Sequence, residues 1–300
     1  MANRIISLKV DVDTYQGMQK GVPVLLDILG KHGIKATFFL SFGPDNSGKA
    51  IYNIFRQKGF LSKMLRTGAP RLYGFKTMLY GTLLPAPFIA SSFPLIIEAI
   101  TKEGNEIGVH AWNHRLWQDH LDELSPEEIR KEFDDSFTAY KKYLSKAPKS
   151  TAAPAWYCNR KSLEIQDSLG LDYCSDTRGN TPFYPRIDGK ELKTLQIPSN
   201  QPCIEEIIGL DGITETDIVN YQITHLKEDI PNIMPIHAEV EGGVYQKYFD
   251  EFITKTLTLG FSYKTMNLIS EDAKCNKIPT NEITYDHIPG RSSLVSMPAV

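Results

Sequence analysis

Three hundred residues, 41% of them hydrophobic and 23% charged, can bury a large core and fit one large domain or two small ones. A net charge of −3 gives no footing for nucleic acid. Four cysteines without a C-x-x-C spacing read as reduced thiols, and the opening MANRIISLKVDVD is too polar for a signal peptide, so the expected compartment is the cytoplasm.

The first predicted element is a strand. Ile5, Ile6, Leu8 and Val10 make a short apolar run, and Val12 continues it between Asp11 and Asp13. Side chains two apart on a strand point the same way, so both carboxylates leave the strand end on one face. Two like charges this close call for a proton or a cation beside them. Val22–His32 has helical spacing and stops at Gly33, and residues 36–42 (ATFFLSF) read as a second strand. Together they make a strand–helix–strand unit of a parallel α/β fold.

A basic stretch follows. No acid lies between Asp45 and Glu98, whereas Lys49, Arg56, Lys58, Lys63, Arg66, Arg71 and Lys76 are all cations. Residues 54–97 interleave these with Phe55, Phe60, Leu61, Met64, Leu65, Leu72, Tyr73, Phe75, Met78, Leu79 and Tyr80. The uncharged run 77–97 has the length of a membrane span. Pro85, Pro87 and Pro94 interrupt it, and one crossing would strand Asp13 and His110 on opposite sides of a bilayer. The expected arrangement for residues 44–98 is therefore an insertion at a membrane interface, with cations on headgroups or on a substrate phosphate. The plainer alternative is an insertion packed on the domain with a solvated basic face.

Pro94–Lys102 is predicted helical, and 106–110 is a third strand ending in His110. His110 and His114 form H-x-x-x-H; on a helical turn their Cβ atoms would lie about 5–6 Å apart, a spacing that chelates one metal ion. Ser125 to Glu128 is a capping box, opening a helix whose Ile129, Phe133, Phe137, Tyr140 and Leu144 form a core stripe. Helices at 162–169, 217–227 and 245–259 then alternate with strands at 171–174, 192–197, 233–237 and 261–265. From Cys275 the chain is polar and broken by prolines, so 275–300 is expected as a tail or extended arm after a single domain, 1–274. Six or more such steps suggest a parallel barrel, in which functional residues sit at the C-terminal ends of strands. Asp11, Asp13, His110 and His237 all fall there. One Asp with two His leaves coordination positions open, and these ligands suit zinc, iron, cobalt or manganese alike. A lone histidine is usually structural; His237 gains weight as the acid a hydrolase needs.

Taken in order, Asp11-Val12-Asp13, His110 to His114, Ala153-Pro154-Ala155-Trp156, Asp176 within Ser175-Asp176-Thr177, and Pro235-Ile236-His237 resemble the five motifs of the NodB-homology polysaccharide deacetylases, carbohydrate esterase family 4. The resemblance implies a distorted (β/α) barrel, with a divalent metal ion on Asp13, His110 and His114. It further implies Asp11 as base, His237 as acid, and Asp176 orienting one of the two. The wording VDVDTYQG, VHAWNHRLWQD, APAWYCN, SDTRGN and IHAEVEGG resembles one branch of that family. That branch removes a formyl group from formamido-arabinose on undecaprenyl phosphate, for lipid A modification in Gram-negative bacteria. It implies a lipid-linked phosphosugar as partner, at the cytoplasmic face of the inner membrane. Trp156 and Arg178, with Arg56, Lys58, Lys63, Arg66, Arg71 and Lys76, are then candidate contacts for substrate or membrane. Two departures stand out: Val12 separates the two aspartates, and Ala152 replaces the arginine that holds the family's base, so that either Arg178 or another cation does that work or the base is tuned differently. N-deacetylation of a glycan and a non-catalytic membrane-binding barrel remain the alternatives.

Overall fold

The computed structural model describes residues 4–52, 72 and 74–299; Arg56, Lys58, Lys63, Arg66 and Arg71 lie outside the described residues. Strand β1 (Ile5–Val12) is buried along its whole length. Its composition alternates because its two faces meet different surroundings. Ile6, Leu8, Val10 and Val12 join the main apolar cluster, packed against helix α1 (Val22–His32), while Ile5, Ser7, Lys9 and Asp11 turn the other way. The neighbouring strands β2 (Thr37–Ser41), β3 (Glu106–Ala111) and β9 (Asn232–His237) repeat the device. Phe38, Leu40, Ile107, Val109, Met234 and Ile236 face the helices; Phe39 and Ile233 belong to the inner cluster.

All pairings in this sheet are parallel. β1 pairs with β2 and with β9; β3 follows β2, then β4 (Ser150–Thr151), β5 (Tyr173–Cys174) and β8 (Leu195–Gln196), while β10 (Ser262–Tyr263) adds to the start of β1. Beyond β8, the Asn200 and Gln201 amides each donate to the Ile233 carbonyl on β9 at 3.3 Å, which draws the two ends of the sheet together. The result is the distorted parallel barrel expected from the alternation. Helices α2 (Pro94–Lys102), α4 (Pro126–Leu144) and α8 (Gln246–Thr258) cover its outside, with α3 (His114–His120) between the first two. The Ser125–Glu128 capping box is formed, and Tyr140 of the α4 stripe donates to the Ile107 carbonyl at 2.9 Å.

Two segments lie outside the barrel's alternation. After Cys275 the chain forms β11 (Thr280–Asp286) and β12 (Val295–Pro298), antiparallel to each other; β11 runs parallel to β6 (Tyr184–Ile187), which pairs with β7 (Lys190–Glu191). Of the tail or extended arm expected there, residues 275–299 take the form of an arm. Edge pairing needs no amphipathic period, so the polar sequence gave no warning. Within 44–98, the described residues pack on the barrel: Tyr15 lies against Tyr80 and Phe93, and Gly48 donates to the Tyr80 carbonyl at 3.0 Å. Ile51, Tyr52, Phe75, Leu83, Phe88 and Leu95 remain exposed, Leu83 to 81%. Among the described residues, no helix is long and apolar enough to cross a membrane.

Candidate active site

The site begins as a two-residue ladder on one strand. Lys9 and Asp11 share the inner face of β1, Asp13 follows just past its end, and the β1–β9 register sets Asp11 directly beside His237. His110 ends β3 and Asn113 caps α3, its side chain accepting from the Leu116 amide at 3.2 Å, so His114 stands in the first helical turn. The H-x-x-x-H therefore spans a strand, a turn and a helix start, rather than one helix face. The turn is fixed by Glu132 of α4, whose carboxylate accepts from the Asn113 amide at 2.8 Å.

This geometry brings Asp13 Oδ1 to 3.1 Å from His110 Nε2 and Asp13 Oδ2 to 3.3 Å from His114 Nε2. The three ligand atoms lie within 4.8 Å of one another. Burial raises the Asp13 carboxyl, yet the charges and hydrogen bonds of His114 and His110 outweigh it and hold it well below its ordinary value. Asp13 Oδ1 is buried with no hydrogen-bond partner among the described residues. An anionic oxygen left so beside two imidazoles fits a cation, and one carboxylate with two imidazoles is a donor set for a divalent ion.

Lys9 answers the missing arginine at position 152. Fully buried, it donates from Nζ to Asp11 Oδ2 and lies 5.3 Å from the Trp156 ring centre and 5.5 Å from that of Phe39. Asp11 Oδ1 has no partner among the described residues, which leaves one oxygen of the carboxylate for chemistry. Arg178 does not reach Asp11. It pairs with Glu206 at 3.2 Å and the Gln201 carbonyl at 3.0 Å, with its guanidinium 4.8 Å from the Trp156 ring centre. Arg291 of the arm pairs with the same Glu206 and lies 4.6 Å from the same ring. Trp156, 2% exposed, lines the cavity, whereas Arg178, 8% exposed, packs on the Trp156 ring and is not part of the wall; neither is placed to touch a membrane. Lys76 is exposed.

Asp176 is also placed otherwise than expected. Its buried carboxylate accepts from the Ala153 amide at 2.7 Å and from the side chains of Gln166 and Gln196 at 2.9 and 2.8 Å. Burial raises its pKa, and the Lys9 charge is among the influences that lower it. The partner of His237 is Glu205, on the short helix α6 (Ile204–Ile207), with Oε1 3.0 Å from Nδ1. Burial alone would depress the His237 imidazole; the Glu205 charge and hydrogen bond, backed by Asp13 and Asp11, hold it well above its ordinary value. Glu241 accepts from the His237 amide at 2.9 Å, and burial pushes its carboxyl up to about 8. Glu239 is buried with neither oxygen bonded among the described residues; burial and the nearby Asp13 raise it well above its ordinary value. Asp11, Asp13, His110, His114, Trp156, Glu205, His237 and Glu239 line one cavity of about 210 Å³, whose wall also includes Ile51, Met78, Arg115 and Arg291.

Lys9 and Glu132 left traces in the sequence. Lys9 interrupts an apolar strand two residues before Asp11, and Glu132 is three residues from Ile129 on the core side of its helix. Glu205 and Arg291 left none, since neither a one-turn helix nor a polar arm has a periodicity to read.

The geometry agrees with what the chain is similar to. The model of the family described as polysaccharide deacetylase matches residues 2–174. A Shewanella sediminis protein named "Probable 4-deoxy-4-formamido-L-arabinose-phosphoundecaprenol deformylase ArnD" is 35% identical over 97% of this chain and 93% of its own. A Wigglesworthia glossinidia brevipalpis protein of the same name is 31% identical over 93% of this chain and 97% of its own. A solved Mycobacterium smegmatis structure described as a polysaccharide deacetylase superposes with a TM-score of 0.66 at 16% identity, covering 96% of each chain. With the family model matching more than half of its length and relatives of nearly equal length, the chain belongs to the polysaccharide deacetylase family and is a hydrolase acting on amide bonds.

Proposed function

We propose that the chain hydrolyses the formamide of undecaprenyl-phosphate-linked 4-formamido-4-deoxy-L-arabinose, releasing formate and a free amine, in the aminoarabinose modification of lipid A. Two near-full-length relatives carrying the deformylase name support the substrate. One observation carries the chemistry: Asp11 and His237 stand side by side across the β1–β9 register, next to the triad of Asp13, His110 and His114. A divalent metal ion held by that triad supplies Lewis acidity at the amide oxygen.

Asp11 takes the proton from the attacking water on Oδ1, while Lys9 on Oδ2 fixes the orientation of the carboxylate. Positioned proton transfer of this kind is worth roughly 10²–10⁴-fold. His237 gives its proton to the departing nitrogen, which leaves poorly as an anion, and Glu205 on Nδ1 holds the imidazole charged and oriented. Water's hydroxyl ends on the formyl carbon as formic acid, and the nitrogen leaves as the sugar amine. Asp176 acts through Lys9 on the base side, as a positioning group.

The enzyme works at the cytoplasmic face of the inner membrane in this reading. Exposed Phe75, Leu83 and Phe88 of the insertion enter the interface, with Lys49 and Lys76 toward anionic headgroups. Ile51 is both exposed and part of the cavity wall, so the apolar surface runs to the mouth.

The test is formate release from the formamido-arabinose carrier lipid by purified protein, metal-stripped, reloaded and as Asp13→Ala, beside an acetylated analogue. Metal-dependent release lost in Asp13→Ala is the expected result. Release of acetate with none of formate would return the substrate to ordinary glycan deacetylation.

A further inference from the structure

The cavity holds a second group of metal-ligating side chains. Cys203, Glu205 and His237 each bring one ligand atom within 4.8 Å of the other two, and all three residues are buried. None of them belongs to the triad of Asp13, His110 and His114. Cys203 immediately precedes α6, Glu205 sits in its first turn, and His237 ends β9, so the three meet where that helix abuts the barrel. All three line the cavity, which gives an ion a way in from solvent.

The donor set differs from the first in kind. A thiolate, an imidazole nitrogen and a carboxylate oxygen suit a borderline-soft ion of the zinc and cadmium class, tetrahedral, with its fourth position toward the cavity. Nδ1 of His237 and Oε1 of Glu205, 3.0 Å apart, close toward each other as two ligands of one ion do. Burial and the charges of Glu206 and Glu205 hold the Cys203 thiol well above its ordinary value, with Arg291 and Arg178 offsetting only part of this, so the thiolate forms with the ion rather than ahead of it.

We propose that Cys203, Glu205 and His237 form a second divalent-metal site, selective for thiophilic ions, whose occupation inhibits the enzyme. The inhibitory half rests on the reading of His237 as proton donor. An ion entering the site replaces two protons, that of the Cys203 thiol and that held between His237 and Glu205, and both leave to solvent. His237 is then fixed through Nδ1 and parted from Glu205. Zinc would thus activate through the triad at low concentration and inhibit through Cys203 at higher concentration, whereas manganese, which binds thiolate poorly, would only activate.

The test uses the full chain carrying Cys275→Ser, which removes the exposed thiol. Cadmium is titrated while the ultraviolet thiolate-to-cadmium charge-transfer absorption is followed, with and without Cys203→Ser. The zinc dependence of formate release is measured on the same proteins, with Cys203→Ala and circular dichroism to check the fold. The expected result is a second cadmium equivalent with thiolate absorption, lost in Cys203→Ser. In that variant the rising zinc phase is kept and the falling phase moves to concentrations higher by on the order of tenfold or more. Absence of thiolate absorption, or inhibition at unchanged zinc concentration in both Cys203 variants, overturns the site. Thiolate absorption that depends on Cys203 but leaves formate release undiminished keeps the site and overturns the inhibition, and with it the donor role of His237.

Discussion

With its Nζ bonded to Asp11 and walled in by Phe39 and Trp156, Lys9 stands in for the water that Asp11 lost on burial. Removing one partner of such a buried pair leaves an uncompensated charge, a cost of about 3–5 kcal/mol. Lys9→Met should lower stability by that order in denaturant titration. It should also cut kcat on the order of 10²–10⁴-fold, as the Asp11 carboxylate loses the contact that orients it toward the water. Lys9→Arg, which keeps the charge and the reach, should restore most of the rate. Glu205→Gln tests the other side of the reaction. The Glu205 charge holds His237 above its ordinary pKa, so the donor form persists through neutral pH and disappears as pH rises through the raised value. Without that charge the pKa falls, and the alkaline limb of the kcat profile should move to lower pH. An alkaline limb unmoved in Glu205→Gln would detach His237 from proton donation.

Elements with a strong period were legible before any coordinates. The alternation in β1, the stripe from Ile129 to Leu144 and the Ser125 cap each follow from local rules, and they fix the barrel. The ladder Asp11–Asp13 and the strand-end histidines were legible for the same reason. The partners of the site were not, because they come from outside its motifs: Glu205 from a single helical turn, Arg291 from a polar arm, Glu132 from a helix read as scaffold. Glu132 makes an element-scale prediction. Burial raises its carboxyl to about 7, from an ordinary value near 4.5. Its neutral form thus stabilises the fold below the unfolded value, and that contribution is lost as pH rises through about 7. Glu132→Gln can still accept from the Asn113 amide and should raise stability at pH 8 by about 1–3 kcal/mol relative to pH 5, as read by melting at the two pH values. The arm offers another. Gly290 has φ +80°, and a Cβ there would overlap the Glu206 carbonyl. Gly290→Ala should loosen the arm at a cost of about 1–3 kcal/mol and raise KM through Arg291 more than it lowers kcat.

For the whole molecule, cavity and exposed apolar surface share Ile51, so access to the site and docking on a membrane are expected to be one event. Phe75→Ser with Leu83→Ser should weaken binding to anionic phospholipid vesicles in co-sedimentation, while a short water-soluble formamido-sugar phosphate is turned over at an unchanged rate. Vesicle binding equal to that of the parent would leave this surface without a membrane role. The barrel also sets an order of events. β1 and β9 come from opposite ends of the chain: the Asn232 side chain bonds the Ile5 carbonyl across 227 residues of sequence. The helices α1 and α4 can form from near neighbours, but base and acid meet only when that long loop has closed, a contact that folding reaches late. A refolding chain would therefore regain its helical signal well before its first turnover, passing through a state that looks folded and hydrolyses nothing.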